Sequence, residues 1–206
     1  VVLAAFGAGV FLFKERTNQE AVQAVKKGGD ALVRAHSPVF GNAEAKVTIV
    51  EFFDPACETC RAFYPVVKSI VNASFGQVRL VFRYAPLHQG SDQAIKILEA
   101  ARLQGKYWQA LEKTLVDQPL WAAHHNPQPQ WIWDSIADIG LDMAKAKADA
   151  GSPAIAQVLQ QDVADMNALK VTRTPGFFVN GTPLRDFGEA QLKTLVAQEI
   201  AKARTP

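Results

Sequence analysis

The residues that most constrain the fold form a run of nine, from Lys46 to Asp54, with the sequence KVTIVEFFD. The run is rich in β-branched and aromatic residues and shows little alternation of apolar and polar positions. A near-continuous apolar run is typical of a strand that is covered on both faces, as in a parallel or mixed sheet. The sequence therefore predicts an α/β protein in which this segment is a central strand.

The two cysteines of the chain follow this strand directly, in Cys57-Glu58-Thr59-Cys60. A single pair makes no framework of structural disulfides, and it lacks the four donors of a closed thiolate zinc site. A Cys-x-x-Cys between a strand and a helix favours exchange of electrons with the disulfides of other molecules. Two inert core cysteines are the alternative.

The remaining pattern predicts a sheet domain that is interrupted by helices. A helix from Cys57 to about Phe75 leads into a second strand over Gln77 to Tyr84. Near the C-terminus, a strand over Gly176 to Asn180 is followed by an Asn-Gly hairpin signal, a partner strand and a final helix. We expect residues 37–90 and 170–206 to form one domain.

Residues 91–169 are predicted to form an inserted helical domain, because no strand signal of comparable strength occurs there. The five expected helices span Ser91–Leu103, Lys106–Asp117, Gln130–Ile139, Asp142–Ala150 and Pro153–Leu169.

The N-terminal segment differs from this globular pattern, since the first 13 residues carry no charge. A spanning helix needs about 20 apolar residues, so these are too few to cross a bilayer. We interpret residues 1–16 as the remnant of a membrane anchor or signal segment, with an ordinary buried element as the alternative. Residues 17–36 are expected to form a leading helix or stalk. Export would place the thiols in an oxidising compartment.

The position of Cys57 at a helix start should stabilise its thiolate, because unpaired N–H groups and the helix dipole face the sulfur. Such sites lower a cysteine pKa to about 3.5–7.5. We expect Cys57 to be the exposed attacking sulfur, and Cys60, one turn further in, to be the buried resolving thiol. Glu58 opposes the effect, since a carboxylate raises the pKa of a neighbouring thiol.

Glu51 interrupts the apolar strand six positions before Cys57. A lone buried carboxylate is costly, so Glu51 should keep its proton near neutral pH or be paired. Beneath the cysteines, it would take the proton of Cys60 during exchange. A glutamate that points to solvent at a sheet edge is the alternative.

Two prolines complete the pattern: Pro65, eight residues after Cys57 within the helix, and Thr174-Pro175 before a late strand. Together with Glu51 and the cysteine pair, these features resemble the thioredoxin superfamily. The helical block and the Glu-Phe-Phe-Asp lead-in to the cysteines are similar to the DsbA-like branch, which inserts a helical domain at this point. The resemblance implies a thioredoxin-like fold, with a central mixed sheet and flanking helices, over most of the chain.

The resemblance also implies residue roles. Cys57 would be the nucleophile, Cys60 the resolving thiol and Glu51 the buried acid. Thr174 and Pro175 would form a cis-proline loop against the cysteines, whose backbone pairs with a bound substrate strand.

The residues between the cysteines depart from the strongly oxidising DsbA-like enzymes, which carry Pro-His there. Glu58 and Thr59 tune the thiol pKa without any positive charge, so we predict a less oxidising couple. Arg173 is expected near the substrate groove, where its charge would balance Glu58.

The histidines give weaker signals. His124 and His125 are adjacent, but neighbours in sequence rarely share one metal ion, and we interpret them as part of a packing or rim loop. His88 is interpreted as a hinge or surface histidine, with a position near the site, where the insertion begins, as the alternative. We expect no metal and no cofactor besides the redox-active cysteine pair, and a copper or zinc carrier is disfavoured because no Met-rich or His-rich companion motif occurs.

The function implied is a thiol:disulfide oxidoreductase in the periplasm or another extracytoplasmic space, tethered to the membrane. It would oxidise unfolded or partly folded cysteine-containing proteins and be reoxidised by a membrane oxidase of the DsbB type. The alternatives are a reductase or isomerase kept reduced by a membrane electron donor, and a chaperone-like binding module. The net charge of +2 gives no argument for nucleic acid as a partner.

Overall fold

The computed structural model describes residue 16, residues 31–123 and residues 126–204. The expectations for the remaining N-terminal residues, and for His124 and His125, lie outside the described residues. In the part of the chain that is described, no helix has the length and apolar character needed to cross a membrane.

A five-stranded mixed sheet forms the centre of the structure, in the spatial order β1-β3-β2-β4-β5. The strands are β1 (Val39–Gly41), β2 (Val47–Phe53), β3 (Val78–Tyr84), β4 (Gly176–Val179) and β5 (Thr182–Pro183). β2 and β3 are parallel, whereas β1 with β3, β2 with β4 and β4 with β5 are antiparallel. The predicted central strand is therefore confirmed, and its burial from both sides explains its continuous apolar sequence.

Helices flank the sheet and fill the long connection between β3 and β4. Those of the described chain are α1 (Glu58–Ala73), α2 (Ser91–Leu103), α3 (Tyr107–Val116), α4 (Gln118–Trp121), α5 (Ile132–Ser135), α6 (Met143–Ala150), α7 (Pro153–Ala168) and α8 (Glu189–Arg204). One predicted helix, Gln130–Ile139, is wrong as a single element. A 3₁₀ turn at Pro129–Trp131 leads into the single turn α5 instead, because the backbone leaves helical geometry at Ile136. The sequence pattern also missed β1 and α4, which are too short to show periodicity.

Alternate side chains of β2 enter two different cores. Val47, Ile49 and Phe53 lie in the core that includes residues of α1 and α8. Val50 and Phe52 lie in a second core, on the opposite face of the sheet. Because strand residues alternate between faces, Glu51 belongs to the face covered by α1, the helix that carries Cys60.

A buried cluster of charged side chains supports the second face. Arg83 of β3 is fully buried, and its Nη2 lies 2.7 Å from Asp162 Oδ1 and 2.6 Å from Asp165 Oδ2 of α7. Arg34 donates to Asp165, and His36 Nε2 lies 2.6 Å from Asp162 Oδ1. The cluster therefore ties both α7 and the segment before β1 to the central sheet.

Candidate active site

The turn between β2 and α1 holds Cys57 at the helix start. Cys57 is the N-cap residue, with extended backbone angles (φ −75°, ψ 117°), and its Sγ accepts a hydrogen bond from the Cys60 N–H at 3.4 Å. Its own N–H donates to the carbonyl oxygen of Asp54 at 3.1 Å. The predicted position of Cys57 at the mouth of a helix is confirmed, and the cap geometry aims N–H donors at the sulfur.

The two thiols, both free, have very different acidities. A hydrogen bond from the Cys60 thiol lowers the pKa of Cys57 to about 5. Burial opposes this shift, and the backbone N–H groups of Cys60 and Thr59 add to it. Burial, followed by the hydrogen bond to Cys57, raises the pKa of Cys60 far above its usual range. At neutral pH the reduced pair therefore holds one proton, on Cys60, and one negative charge, on Cys57.

The accessibility of Cys57 is lower than the sequence suggested. We expected an exposed sulfur, but the residue is only 5% exposed, because the N-cap position tucks it between the turn and the loop before β4. It lines a pocket of about 420 Å³, whose other walls are the first turn of α1, Leu87 to Gln89, and the segment around Ala123. Cys57 is thus reached from the pocket. Cys60 is fully buried, as expected.

Glu51 lies inside the sheet, paired in register with Phe82 of β3 and Phe177 of β4. Its side chain is fully buried, and neither carboxyl oxygen has a hydrogen-bond partner among the described residues. Burial, then the charge of Cys57, raises the pKa of Glu51 well above its usual range. The alternative of a solvent-facing glutamate at a sheet edge is therefore wrong. The negative charge of Glu51 contributes in turn to the raised pKa of Cys60, which fits a position beneath the cysteines.

Replacing Glu51 by glutamine should stabilise the reduced protein at high pH. In the unfolded chain the pKa of Glu51 is about 4.3, whereas in the folded chain its pKa is raised well above that value. Between these two pKa values the folded chain binds more protons, so stability falls as pH rises, by up to about 1.4 kcal/mol per pH unit. Because glutamine does not titrate, Glu51→Gln should match the parent in urea denaturation at pH 4 and exceed it at pH 8.

The matched control for this prediction is Glu189→Gln, an exposed glutamate at the start of α8. The control should change stability little at either pH. Equal stabilities of Glu51→Gln and the parent at both pH values would show that Glu51 ionises normally in the folded chain.

The loop before β4 lies against the cysteines. The Thr174–Pro175 peptide bond is cis, the configuration that the resemblance implied. The carbonyl oxygen of Thr174 lies 3.4 Å from Cys57 Sγ, and the buried Thr174 hydroxyl has no hydrogen-bond partner within the described parts of the chain. Arg173 is exposed on the same loop. The expected charge balance between Arg173 and Glu58 stays a prediction.

Asp54, which the sequence analysis did not single out as a functional residue, organises the other side of the turn. Its buried carboxylate accepts hydrogen bonds from the N–H of Ala56 at 2.9 Å, of Leu87 at 2.8 Å and of His88 at 3.0 Å, and from the Ser91 hydroxyl. Its Oδ2 also lies 2.7 Å from His88 Nδ1. The acid therefore joins the end of β2 to the loop that leads into α2.

This contact brings His88 to the edge of the site, while its predicted surface position is kept, since the residue is exposed in the loop before α2. Although half exposed, His88 lines the same pocket as Cys57. Burial lowers the pKa of His88, but the hydrogen bond and charge of Asp54 outweigh it, with smaller contributions from Cys57 and Glu58, and the pKa is raised overall. No group of three or more His, Cys, Asp or Glu side chains within residues 31–123 and 126–204 forms a candidate metal site.

The helical insertion also reaches the turn through Gln118, a second residue that sequence reasoning missed. The buried Gln118 side chain donates from Nε2 to the carbonyl oxygens of Pro55 at 2.7 Å and Cys57 at 3.0 Å. A lone glutamine near the start of a four-residue helix gives no signal in the sequence. The contact ties the helical insertion to the backbone of the cysteine turn.

Comparisons with known proteins agree with this geometry. The family model described as thioredoxin matches residues 34–198. A thioredoxin-like oxidoreductase from Silicibacter pomeroyi DSS-3 is 30% identical, with a TM-score of 0.71, and the match covers 86% of this chain and 98% of that one. Disulfide bond formation protein D of Bacillus subtilis is 24% identical over 85% of this chain and 84% of its own length.

Similarity also extends to part of a much longer protein. The Na⁺/H⁺ antiporter NhaA of Herminiimonas arsenicoxydans is 31% identical over 77% of this chain. The match covers only 24% of the antiporter, so the chain spans about a quarter of the length of that curated relative.

Proposed function

Because the chain belongs to the thioredoxin superfamily, as a DsbA-like protein, we propose that it is a thiol:disulfide oxidoreductase acting through Cys57 and Cys60. The observation that carries this proposal is the unequal pair of thiols. Cys57, with its pKa of about 5, lies at a pocket wall, whereas Cys60 is buried and has a raised pKa. Disulfide exchange requires one thiolate that a partner molecule can reach, here Cys57, next to a second thiol that is shielded from solvent, here Cys60.

The oxidative half of the cycle begins with the Cys57–Cys60 disulfide. A substrate thiolate attacks Cys57 Sγ, the bond to Cys60 breaks, and a mixed disulfide joins the substrate to Cys57. Cys60 leaves with the electron pair and takes up a proton, for which the carboxyl group of Glu51 is the buried source.

A second substrate thiolate then attacks the substrate sulfur of the mixed disulfide, and Cys57 leaves as a thiolate. The substrate has lost two electrons and gained a disulfide, while the cysteine pair has gained both electrons. The low pKa of Cys57 favours this step, because a more acidic thiol is a better leaving group.

We propose that the net direction is oxidation of substrate proteins. Stabilising the Cys57 thiolate stabilises the reduced pair, which makes the disulfide form the stronger oxidant. A pKa of about 5 falls between the values of about 7 in thioredoxin and about 3.5 in DsbA. This supports a couple of intermediate strength, less oxidising than the Pro-His enzymes. Glu58 in the first turn favours the second candidate, a reductase or isomerase kept reduced by an electron donor.

The proposed setting is the periplasm or another extracytoplasmic space, because a disulfide persists in oxidising compartments. The proposed substrates are unfolded or partly folded cysteine-containing proteins. The proposed redox partner is a membrane oxidase of the DsbB type, with a membrane tether at the N-terminal segment. The charge-free residues at the start of the chain support the tether.

The redox state of the cysteine pair in cells tests the direction. Rapid acid quenching, followed by alkylation with a mass tag, should find Cys57 and Cys60 mostly oxidised. The purified protein, equilibrated with glutathione, should have a reduction potential between about −270 mV and about −120 mV, the thioredoxin and DsbA values. A pair that is mostly reduced in cells would favour the reductase, and a potential equal to that of DsbA would contradict the intermediate couple.

A further inference from the structure

The proposed function leaves one electrostatic question at the active site. The two residues between the cysteines bring no positive charge, and Glu58 adds a negative one. The buried carboxylate of Asp54 lies at the same turn, where it accepts from the Ala56 N–H beside Cys57. Two carboxylates close to a thiolate raise its pKa unless a cation compensates them. A cation in the pocket would offset these carboxylates and add to the hydrogen bonds that already stabilise the thiolate.

His88 is the cationic candidate among the described residues of the pocket. The described walls of the pocket are Cys57 and Glu58 of the α1 turn, the loop that carries His88, and neutral residues of the helical insertion. His88 is brought there by tertiary structure alone, since it follows β3, whereas Cys57 caps the start of α1.

Asp54 fixes the orientation of this histidine and favours its protonated form. The carboxylate oxygen Oδ2 accepts from the backbone N–H of His88 at 3.0 Å and lies 2.7 Å from its Nδ1. A carboxylate that accepts from Nδ1 requires a proton on that atom and favours a second proton on Nε2. Asp54 is itself held by the N–H of Leu87 and the Ser91 hydroxyl, so the ring has a rigid support.

We propose that His88, oriented by Asp54, is the cation that stabilises the Cys57 thiolate. The inference rests on the proposed function and adds to it the residue that sets the strength of the redox couple. Interaction between two charges is reciprocal, and the negative charge of Cys57 contributes to the raised pKa of His88. The imidazolium lowers the pKa of Cys57 by the same interaction.

The first test is the acidity of Cys57 in the His88→Gln variant, which keeps a polar side chain beside Asp54 but removes the charge. The rate of alkylation of the reduced protein as a function of pH reports the thiolate directly. A unit charge lost within a pocket should make Cys57 about tenfold less acidic. His88→Lys carries a permanent charge and should restore an acidity close to that of the parent.

The matched control is His36→Gln, because His36 is also paired with a buried aspartate but lies outside the pocket. This variant should leave the alkylation profile of Cys57 unchanged. An unchanged profile in His88→Gln, or an equal shift in both glutamine variants, would overturn the proposal.

The second test is the pH dependence of the equilibrium with glutathione. His88→Gln destabilises the reduced form, so it should shift the equilibrium about tenfold towards the oxidised protein, or about 30 mV, at pH 6. Because His88 is charged only below its pKa, parent and variant should converge as pH rises through that value. A constant difference across the range would indicate a structural effect and overturn the proposal.

These readouts separate the inference from the proposed function. Alkylation needs only the reduced thiol, so it decides the role of His88 even if the protein exchanges no disulfides. If His88→Gln still exchanges disulfides and the pKa of its Cys57 is unchanged, the role of His88 is rejected while the proposed function stands.

Discussion

Replacing Cys57 by serine is expected to abolish thiol–disulfide exchange, with a loss of more than about 10³-fold, whereas replacing Cys60 by serine should leave the first attack intact. A serine hydroxyl is neither ionised at neutral pH nor able to form a disulfide. In Cys57→Ser the remaining thiol, Cys60, is fully buried and has a raised pKa, so it cannot substitute. In Cys60→Ser the Cys57 thiolate attacks but has no resolving partner, and mixed disulfides should accumulate.

Reaction of each reduced variant with glutathione disulfide, followed by intact-mass measurement, checks this prediction. Cys60→Ser should gain one glutathione and Cys57→Ser none. Because the chain has two cysteines, the double serine variant contains no thiol and provides the blank. Normal complementation of a disulfide-forming defect by Cys57→Ser would contradict the redox function and favour a chaperone-like module.

Replacing Arg83 by methionine is expected to lower the free energy of unfolding by about 3–5 kcal/mol. The side chain of Arg83 is fully buried between Asp162 and Asp165, at 2.7 Å and 2.6 Å. Methionine fills much of the volume but leaves carboxylates buried without their central cation. Removal of one partner of a buried ion pair costs far more than the intact pair contributes, because the remaining charge keeps its desolvation cost. Urea denaturation at neutral pH measures the loss.

Arg79→Met provides the matched control on the same strand. Arg79 is only partly buried and donates to the Thr48 hydroxyl and the Ala43 carbonyl oxygen, so its loss should cost no more than about 1 kcal/mol. Adding Asp162→Asn to Arg83→Met should recover part of the stability, since it removes one of the two buried carboxylates that lose Arg83. An Arg83→Met variant as stable as Arg79→Met would show that the cluster contributes little.

The parts of the site that could be predicted are those encoded within one short segment. A buried strand that runs directly into Cys57 fixes both the helix-start position of the sulfur and the face on which Glu51 lies. The loop of Thr174 was found through its resemblance to known proteins, since a proline before a strand has no special meaning by itself.

The parts that could not be predicted depend on contacts between distant segments. Asp54 meets His88 across more than thirty residues of sequence, and Gln118 meets the carbonyl oxygens of the cysteine turn from a helix of one turn. Neither contact leaves a periodic pattern, because each uses a single polar side chain. The exposure of Cys57 was overestimated for the same reason, since two distant loops cover the cap.

The narrow access to Cys57 has a consequence for the choice of reaction partner. Because Cys57 is only 5% exposed, its sulfur can be approached along few directions, and displacement at sulfur needs the three reacting atoms nearly in line. A partner thiol that is buried in a folded protein cannot meet that requirement, whereas a partner thiol on a flexible, protruding segment can. Restricted access to Cys57 would thus select incompletely folded polypeptides over folded ones.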